Sequence, residues 1–435
     1  MENSPMNAPA PVVSRAERVQ YVVSPGGVAV WLVEDYAVPL VALEFSFTGG
    51  AAQDPAGKAG ATSLLAGLLD EGAGDLTAEA FHRALDDHAI RLSFSAERDE
   101  FFGHLQTLSR HSAKAFELLA LALNAPRFDA EPIERVRAQL NAVLRRESAD
   151  PDSMAAQAWR RAAWPGHAYA KSPRGELGEI DAVTRDDLVG LHAKMFARDS
   201  LKVAVVGAID AATLAARLDD LFAGLPVQAR LTPVPDATVQ SLGERIVVDY
   251  DVPQANIRFG RSGLARRDPD YIAAMVVNHI LGGGAFTSRL WQEVREKRGL
   301  TYSVYSALTT AAHSPCFVGA TSTKNERAAE SLNVIATECA RLAADGPTAD
   351  ELEKAKKYLV GSYALRFDTS TKIAGHLLQL QRDGFEASYL DRRNAEVEAV
   401  TLDDARRVAK RLIGDGKMLI AVVGRPEGLE APAAA

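Results

Sequence analysis

The 435-residue sequence predicts an α+β fold built from two homologous domains, each a mostly antiparallel sheet with helices packed on one face. Three observations predict it. The run IDAVTRDDLVGLHAKMF (Ile180 to Phe196) resembles VEAVTLDDARRVAKRLI (Val397 to Ile413), and KVAVVG ending at Gly207 resembles LIAVVG ending at Gly424. Both matches are 217 positions apart, and one constant offset across a helix and its following strand marks a duplicated domain. Within a copy, strand-like runs come before helix-like ones. Between the copies, residues 225–245 hold Pro226, Pro233 and Pro235 with no periodic pattern, which predicts an extended linker.

The elements follow in order. Residues 1–18 form a disordered lead-in, residues 19–224 the first α+β domain, residues 225–245 the linker, residues 246–427 the second α+β domain, and residues 428–435 a tail. In the first copy, VAVWLVEDY and LVALEFSFTGG have the β-branched and aromatic character of strands. A helix is expected near Gly60 to Asp70. TAEAFHRALDDHA is a second helix, with Thr77 as N-cap and Glu79 in its first turn. IRLSFSAERDEFFGHLQTL predicts a pair of strands joined as a hairpin. SAKAFELLALALNAP and EPIERVRAQLNAVLRRES have amphipathic helical spacing. The linker is long enough to let the halves face each other as a clamshell, and equally serves as a surface loop between rigidly packed halves.

Composition narrows the function. Hydrophobic residues make up 47%, enough for a large core. Net charge is -8 with no basic tract, which argues against nucleic acid as a partner. Cys316 and Cys339 form neither a disulfide framework nor a metal motif and are expected as free, buried thiols. No apolar run reaches the roughly 20 residues needed to span a bilayer, so membrane insertion is not expected. The first residues lack the pattern of a secretory signal. The chain as it stands is expected in the cytoplasm, or in the periplasm if a signal has been removed.

The segment LGGGAFTSRLWQEVREKRGLTYSVYS (Leu281 to Ser306) carries the functional reading. Gly282, Gly283 and Gly284 open a helix-like run that carries Arg295, and Tyr302 begins a strand-like run seven residues later. Three glycines stop the preceding helix, or let a peptide or partner approach closely where no Cβ intervenes. A guanidinium and a phenol at one helix-to-strand junction can both donate to a peptide carbonyl. The segment predicts a clamp for a substrate. Tyr305, further along the strand, is expected to share the face of Tyr302 as core or cavity wall. Arg289 is taken as a surface charge, and Asp70 and Glu71 as a helix end before a glycine turn.

With the duplication and the linker, this segment resembles the pitrilysin or insulinase-like zinc peptidase superfamily, in its short bacterial and mitochondrial-processing-peptidase branch. Active members carry H-x-x-E-H, in which two histidines one turn apart hold zinc and the glutamate takes a proton from metal-bound water. The resemblance places the first histidine position at Ser63, the base at Ala66 and the second histidine at Gly67. The distal ligand position falls near Val143, with Glu147 about a turn away. No metal ligand is expected in this chain. His82 and His88 are spaced for different helix faces, His104 and His111 are separated by a strand-to-helix turn, and His167, His192, His279, His313 and His376 stand alone.

The resemblance implies that Arg295 and Tyr302 hold substrate backbone opposite a zinc site carried elsewhere. It implies a non-catalytic subunit that pairs with a homologous, zinc-bearing sister as a heterodimeric endopeptidase for peptides. Two alternatives stand beside it: a peptidase-like scaffold in a larger assembly, as in the core proteins of the respiratory cytochrome bc complex, and a homodimeric peptide-binding protein.

Overall fold

The computed structural model describes residues 14–222 and 224–429. Thirteen strands run in chain order among them: β1 (Gln20–Val23), β2 (Ala29–Glu34), β3 (Leu40–Thr48), β4 (Gly72–Ala73), β5 (Leu76–Thr77), β6 (Arg91–Ala96), β7 (Glu100–Leu108), β8 (Leu201–Gly207), β9 (Arg245–Asp249), β10 (Gln254–Ser262), β11 (Thr301–Thr309), β12 (Cys316–Lys324) and β13 (Leu419–Gly424). The first sheet has the order β1-β2-β8-β3-β7-β6 and the second β11-β12-β10-β13-β9. Without β1, the first sheet matches the second strand for strand. In both sheets the one parallel pair is equivalent, β2 with β8 and β9 with β13, and the other pairs are antiparallel.

The duplication is visible in local chemistry. Thr184 and Asp187 form a reciprocal capping box at the start of helix Arg185–Met195, and Thr401 and Asp404 form the equivalent box at Leu402–Ile413. Gly207 and Gly424 end equivalent strands with φ of 145° and 143°, a region that disfavours a side chain. The expected hairpin is β6–β7, and Thr77 caps helix Ala78–Asp87 as expected.

Each sheet lays one face on its own half's helices. Leu32, Leu43, Phe45, Val203 and Val205 build the first core; Ile257, Phe259, Val294 and Val422 contribute to the second. The other face is covered by a helix from the opposite half, beyond the expectation of helices on one face. Helix Pro151–Ala163 of the first half lies on β10 and β13. Trp159 and Ala163 pack with Leu419 and Ala421, and Trp159 Nε1 donates to the Leu419 carbonyl at 3.0 Å. Gly260 makes room for that indole: a Cβ there would lie 2.9 Å from Trp159 Cζ2. Reciprocally, Ala374, Leu377 and Leu378 of helix Ser370–Arg382 pack on Trp31, Val33, Ala204 and Val206 of the first sheet. Gln381 Nε2 donates to the Val203 carbonyl at 2.8 Å. Burial on both faces explains why AVWLV and VAVVG are continuous apolar runs rather than alternating ones.

The linker is tied to both halves. Thr232 exchanges two hydrogen bonds with the Gln53 side chain, Ala237 N donates to the His313 carbonyl, and Gln240 N donates to that of Ala163. Val239 is buried. These ties and the crossed helices favour packed halves over a free hinge. Residues 1–13 of the expected lead-in lie outside the described residues. The end of that segment is ordered, against expectation: Ser14 Oγ and Arg15 N both donate to the Asp391 carboxylate, and Arg15 lies over the Phe367 ring at 4.3 Å. The helix expected to reach Asp70 spans only Ala61–Ala66.

Because each helix seals the other half's sheet, Trp159→Ala is expected to cost about 3–5 kcal/mol and to lower the melting temperature of both halves together. Hydrogen exchange read separately over β3 and β10 checks this. Loss of protection confined to the second half would count against a shared core.

Candidate functional site

The segment expected to act as a clamp departs from regular helix twice. After helix Tyr271–Asn278 the backbone widens to a π-helical turn over His279–Gly283, where Gly284 N donates to the His279 carbonyl at 2.8 Å. A second wide turn covers Trp291–Glu296, with Lys297 N donating to the Gln292 carbonyl. Such turns rotate side chains off the regular helical phase and are frequent at functional sites.

Gly282 is buried, and a Cβ on it would lie 2.5 Å from Ser306 Oγ and 2.6 Å from Ser306 N. Its missing side chain lets the wide turn press against β11. That close approach is to the chain's own strand, a use of the glycine that the sequence reading did not weigh. Gly283 is exposed and Gly284 partly so.

The second wide turn and β11 bring Arg295 and Tyr302 together. The Arg295 guanidinium lies 5.1 Å from the Tyr302 ring centroid and 4.0 Å from that of Trp291, an arrangement that suits its planar cation. Phe286 meets Trp291 edge-on at 4.8 Å. Tyr302 is 82% exposed, and among the described residues neither its hydroxyl nor the Arg295 guanidinium makes a hydrogen bond. Both donors are therefore free. Trp291 and Phe286, which flank this pair, were not singled out from the sequence, because an isolated aromatic in AFTSRLW does not show which side chain it meets.

Tyr305 is three residues beyond Tyr302, a spacing that puts two side chains on opposite faces of a regular strand. A bulge corrects this: Thr301 pairs with Thr323, but Val304 pairs with Thr321, so β11 carries one extra residue. Val304 turns into the core, while Tyr305 stays 42% exposed and accepts a hydrogen bond from Arg258 Nη1 at 2.8 Å. Arg258 Nη2 in turn donates to Asp152 Oδ2 at the start of helix Pro151–Ala163. The expected wall position of Tyr305 is thus on the face that meets the first half.

Arg289 is a correction. Its guanidinium is mostly buried, forks onto Glu351 at 2.7 and 2.8 Å, and donates to the Gly346 carbonyl. It staples the clamp segment to the start of helix Ala349–Tyr363. Burial would raise the Glu351 pKa, but the Arg289 and Thr348 hydrogen bonds and the Arg289 charge outweigh it and hold the carboxyl at about 2.

The positions aligned with a metal centre do not fit a metal. Ser63 Oγ donates to the Pro173 carbonyl at 2.8 Å, and Ala66 is buried. Gly67 ends the short helix, and a Cβ there would lie 2.8 Å from Val136 Cγ1. A ligand side chain at this position would have to displace Val136. Val143 has no donor atom, and Glu147 is engaged by Arg174. Asp54 sits beside this helix, accepting from Gly60 N and Thr62 N, and burial pushes its pKa up to about 6.

Among the described residues, no three His, Cys, Asp or Glu side chains gather as a metal site. The histidines are occupied singly: His104 by Glu44, His192 by the Leu123 carbonyl, and His376 by the Tyr363 hydroxyl, with burial pushing His376 down to about 4. Arg135 forks onto Glu71, a structural use as expected. Cys316 and Cys339 are free and buried, and burial raises their pKa values to about 11 and about 12. No helix of the described residues is long and apolar enough to cross a membrane.

Two family models match the chain: "Insulinase (Peptidase family M16)" over residues 30–173 and "Peptidase M16 inactive domain" over residues 182–359. The non-peptidase homolog YmxG of Helicobacter pylori is 28% identical, covering 77% of this chain and 78% of its own. The mitochondrial-processing peptidase subunit beta of Lentinula edodes is 23% identical over 85% of this chain and 82% of its own. The crystal structure of a peptidase M16 inactive domain from Pseudomonas fluorescens superposes with a TM-score of 0.88 at 27% identity, covering 95% of this chain and 99% of that one. With its duplicated fold, its second-half motif and side chains that cannot hold a metal where the motif histidines would stand, the chain belongs to the M16 peptidase family as an inactive member.

Proposed function

We propose that the chain is the non-catalytic, substrate-binding subunit of a heteromeric zinc-dependent endopeptidase acting on peptides. A homologous sister subunit supplies the zinc and the general base. The observation that carries this reading is an asymmetry between two sites in one molecule. The metal positions are closed by Val136 and the Pro173 carbonyl, whereas Arg295 and Tyr302 present free donors to solvent.

Arg295 and Tyr302 hold the carbonyls of an extended peptide, beside the open backbone of Gly283 and Gly284. Gly282 keeps the turn against β11. The peptide adds as a strand to a sheet edge of the sister subunit, gaining backbone hydrogen bonds that tolerate many sequences. Fixing a flexible peptide in one pose removes orientational freedom before the chemistry, which is itself a rate effect. The similarity to a protein described as a peptidase subunit supports the partnership.

Two outcomes are expected. The purified chain alone hydrolyses no peptide and holds no stoichiometric zinc by elemental analysis. The combined Ser63→His, Ala66→Glu and Gly67→His substitutions do not change that, because Val136 occupies the space for a side chain at residue 67. An active, zinc-loaded chain would contradict the assignment.

In the pair reconstituted with its zinc-bearing sister, Arg295→Ala is expected to lower kcat/KM by about 10–100-fold and Tyr302→Phe by about 5-fold, the values of a charged and a neutral hydrogen bond. Size-exclusion chromatography should show the pair intact. Full activity in both variants would leave only the scaffold role.

A further inference from the structure

A cavity of about 540 Å³ lies where helices Ala130–Ala149 and Pro151–Ala163 meet β10 of the other half. It adjoins the segment that closes the metal position, since Pro173 and Arg174 are consecutive and Arg174 lines it. Its charges pair off almost completely. Arg174 bonds Glu147, Arg258 bonds Asp152, and Arg161 bonds Glu176. One cation is left over. Among the described residues, the Arg160 guanidinium makes no hydrogen bond or ion pair, and its Nε is fully enclosed without a partner.

One acceptor is left over as well. Glu176 takes hydrogen bonds from Gln157 and Arg161 on Oε2, while its Oε1 is enclosed and unpaired. An enclosed guanidinium Nε and an enclosed carboxylate oxygen, both unsatisfied beside one cavity, are costly, and the Arg160 Nη groups remain open to a ligand there.

We propose that this cavity binds a peptide carboxylate, with Arg160 as the anion's partner, and that a free C-terminus is its preferred source. A planar carboxylate matches the guanidinium fork, and the amide N–H beside a C-terminal carboxylate is a donor suited to the Glu176 carboxylate on the same wall. A phosphate dianion matches poorly, since three acidic side chains share the walls. Burial lowers the Arg160 pKa to about 10, which leaves it charged at neutral pH.

One side chain ties the cavity to the strand that carries the clamp. Arg258 in its wall holds Tyr305, three residues along β11 from Tyr302. A peptide crossing Arg295 and Tyr302 can therefore run toward Arg160. This deepens the substrate-binding reading, but its test needs this chain alone.

An N-terminally fluorescein-labelled peptide of alanine, leucine and serine is prepared as the free acid, as the C-terminal amide, and as the amide with one internal glutamate. Anisotropy against the purified chain is expected to show the acid binding at least about tenfold more tightly than the plain amide. If the glutamate-bearing amide binds like the plain amide, the C-terminus is the source. If it binds like the acid, a side-chain carboxylate serves too, which upholds the carboxylate site and overturns the preference for a C-terminus. Arg160→Gln should abolish the acid's advantage, and Arg160→Lys should retain part of it. Equal binding of acid and amide, no binding of either, or an advantage that survives Arg160→Gln would overturn the proposal. If Arg160→Gln does not fold, competition on the unaltered chain by acetyl-alanine against acetyl-alaninamide decides. Failure of this test leaves the reconstituted-activity test untouched, and a missing sister subunit leaves this one untouched.

Discussion

Two helices cross between the halves, and the rest of the structure depends on that exchange. Helix Pro151–Ala163 seals the second sheet with Trp159, and helix Ser370–Arg382 seals the first with Leu377 and Leu378. Each sheet would otherwise expose an apolar face, a large aggregation-prone surface. Each helix also donates one side-chain N–H to a backbone carbonyl of the opposite sheet. Neither half is therefore a complete domain in the physical sense, although the chain is a sequence duplication. The cavity near Arg160 exists because the crossing helix brings first-half side chains against Arg258 of the second half.

Loss of the metal centre is more than a change of three residues. A missing ligand alone leaves a space that a mutation can refill. Here the neighbours have taken the space: Val136 stands against Gly67, and the Pro173 carbonyl takes the Ser63 hydroxyl. Close packing makes such a change hard to reverse, since a restored side chain meets core atoms. The clamp segment shows the opposite economy. Arg289 and Glu351 anchor it, a buried glycine seats it on β11, and the Tyr302 ring beside Arg295 stays in solvent. A rigid base under exposed donors is the arrangement that holds a flexible ligand with little loss of order in the protein.

Much of this was legible in the chain itself. The duplication rests on local signals, the T-x-x-D capping boxes and the VVG strand ends, which fold alike wherever they occur. Strand runs, the hairpin, the linker, the buried thiols and the absence of a metal motif follow from composition and spacing. The motif around Arg295 and Tyr302 is contiguous, so its two donors could be named from sequence. Local spacing carries no information where a single register change decides the outcome. The bulge at Tyr302 is what brings Tyr305, three residues on, to the expected face, and nothing in TYSVYS signals the extra residue.

Tertiary structure alone decided the partners. The sequence determined that two α+β layers would form, with helices expected on one face of each sheet; only the fold decided that each second face is covered by the other half. The sequence determined that Arg289, Arg160 and Arg258 are cations. Only the fold decided that Arg289 is buried on Glu351, that Arg258 bridges Asp152 and Tyr305, and that Arg160 Nε is left without a hydrogen-bond partner. The physical reason is range. Caps, turns and strand character arise between residues a few positions apart, whereas a charge takes its meaning from neighbours that chain folding brings from 47 to 106 residues away.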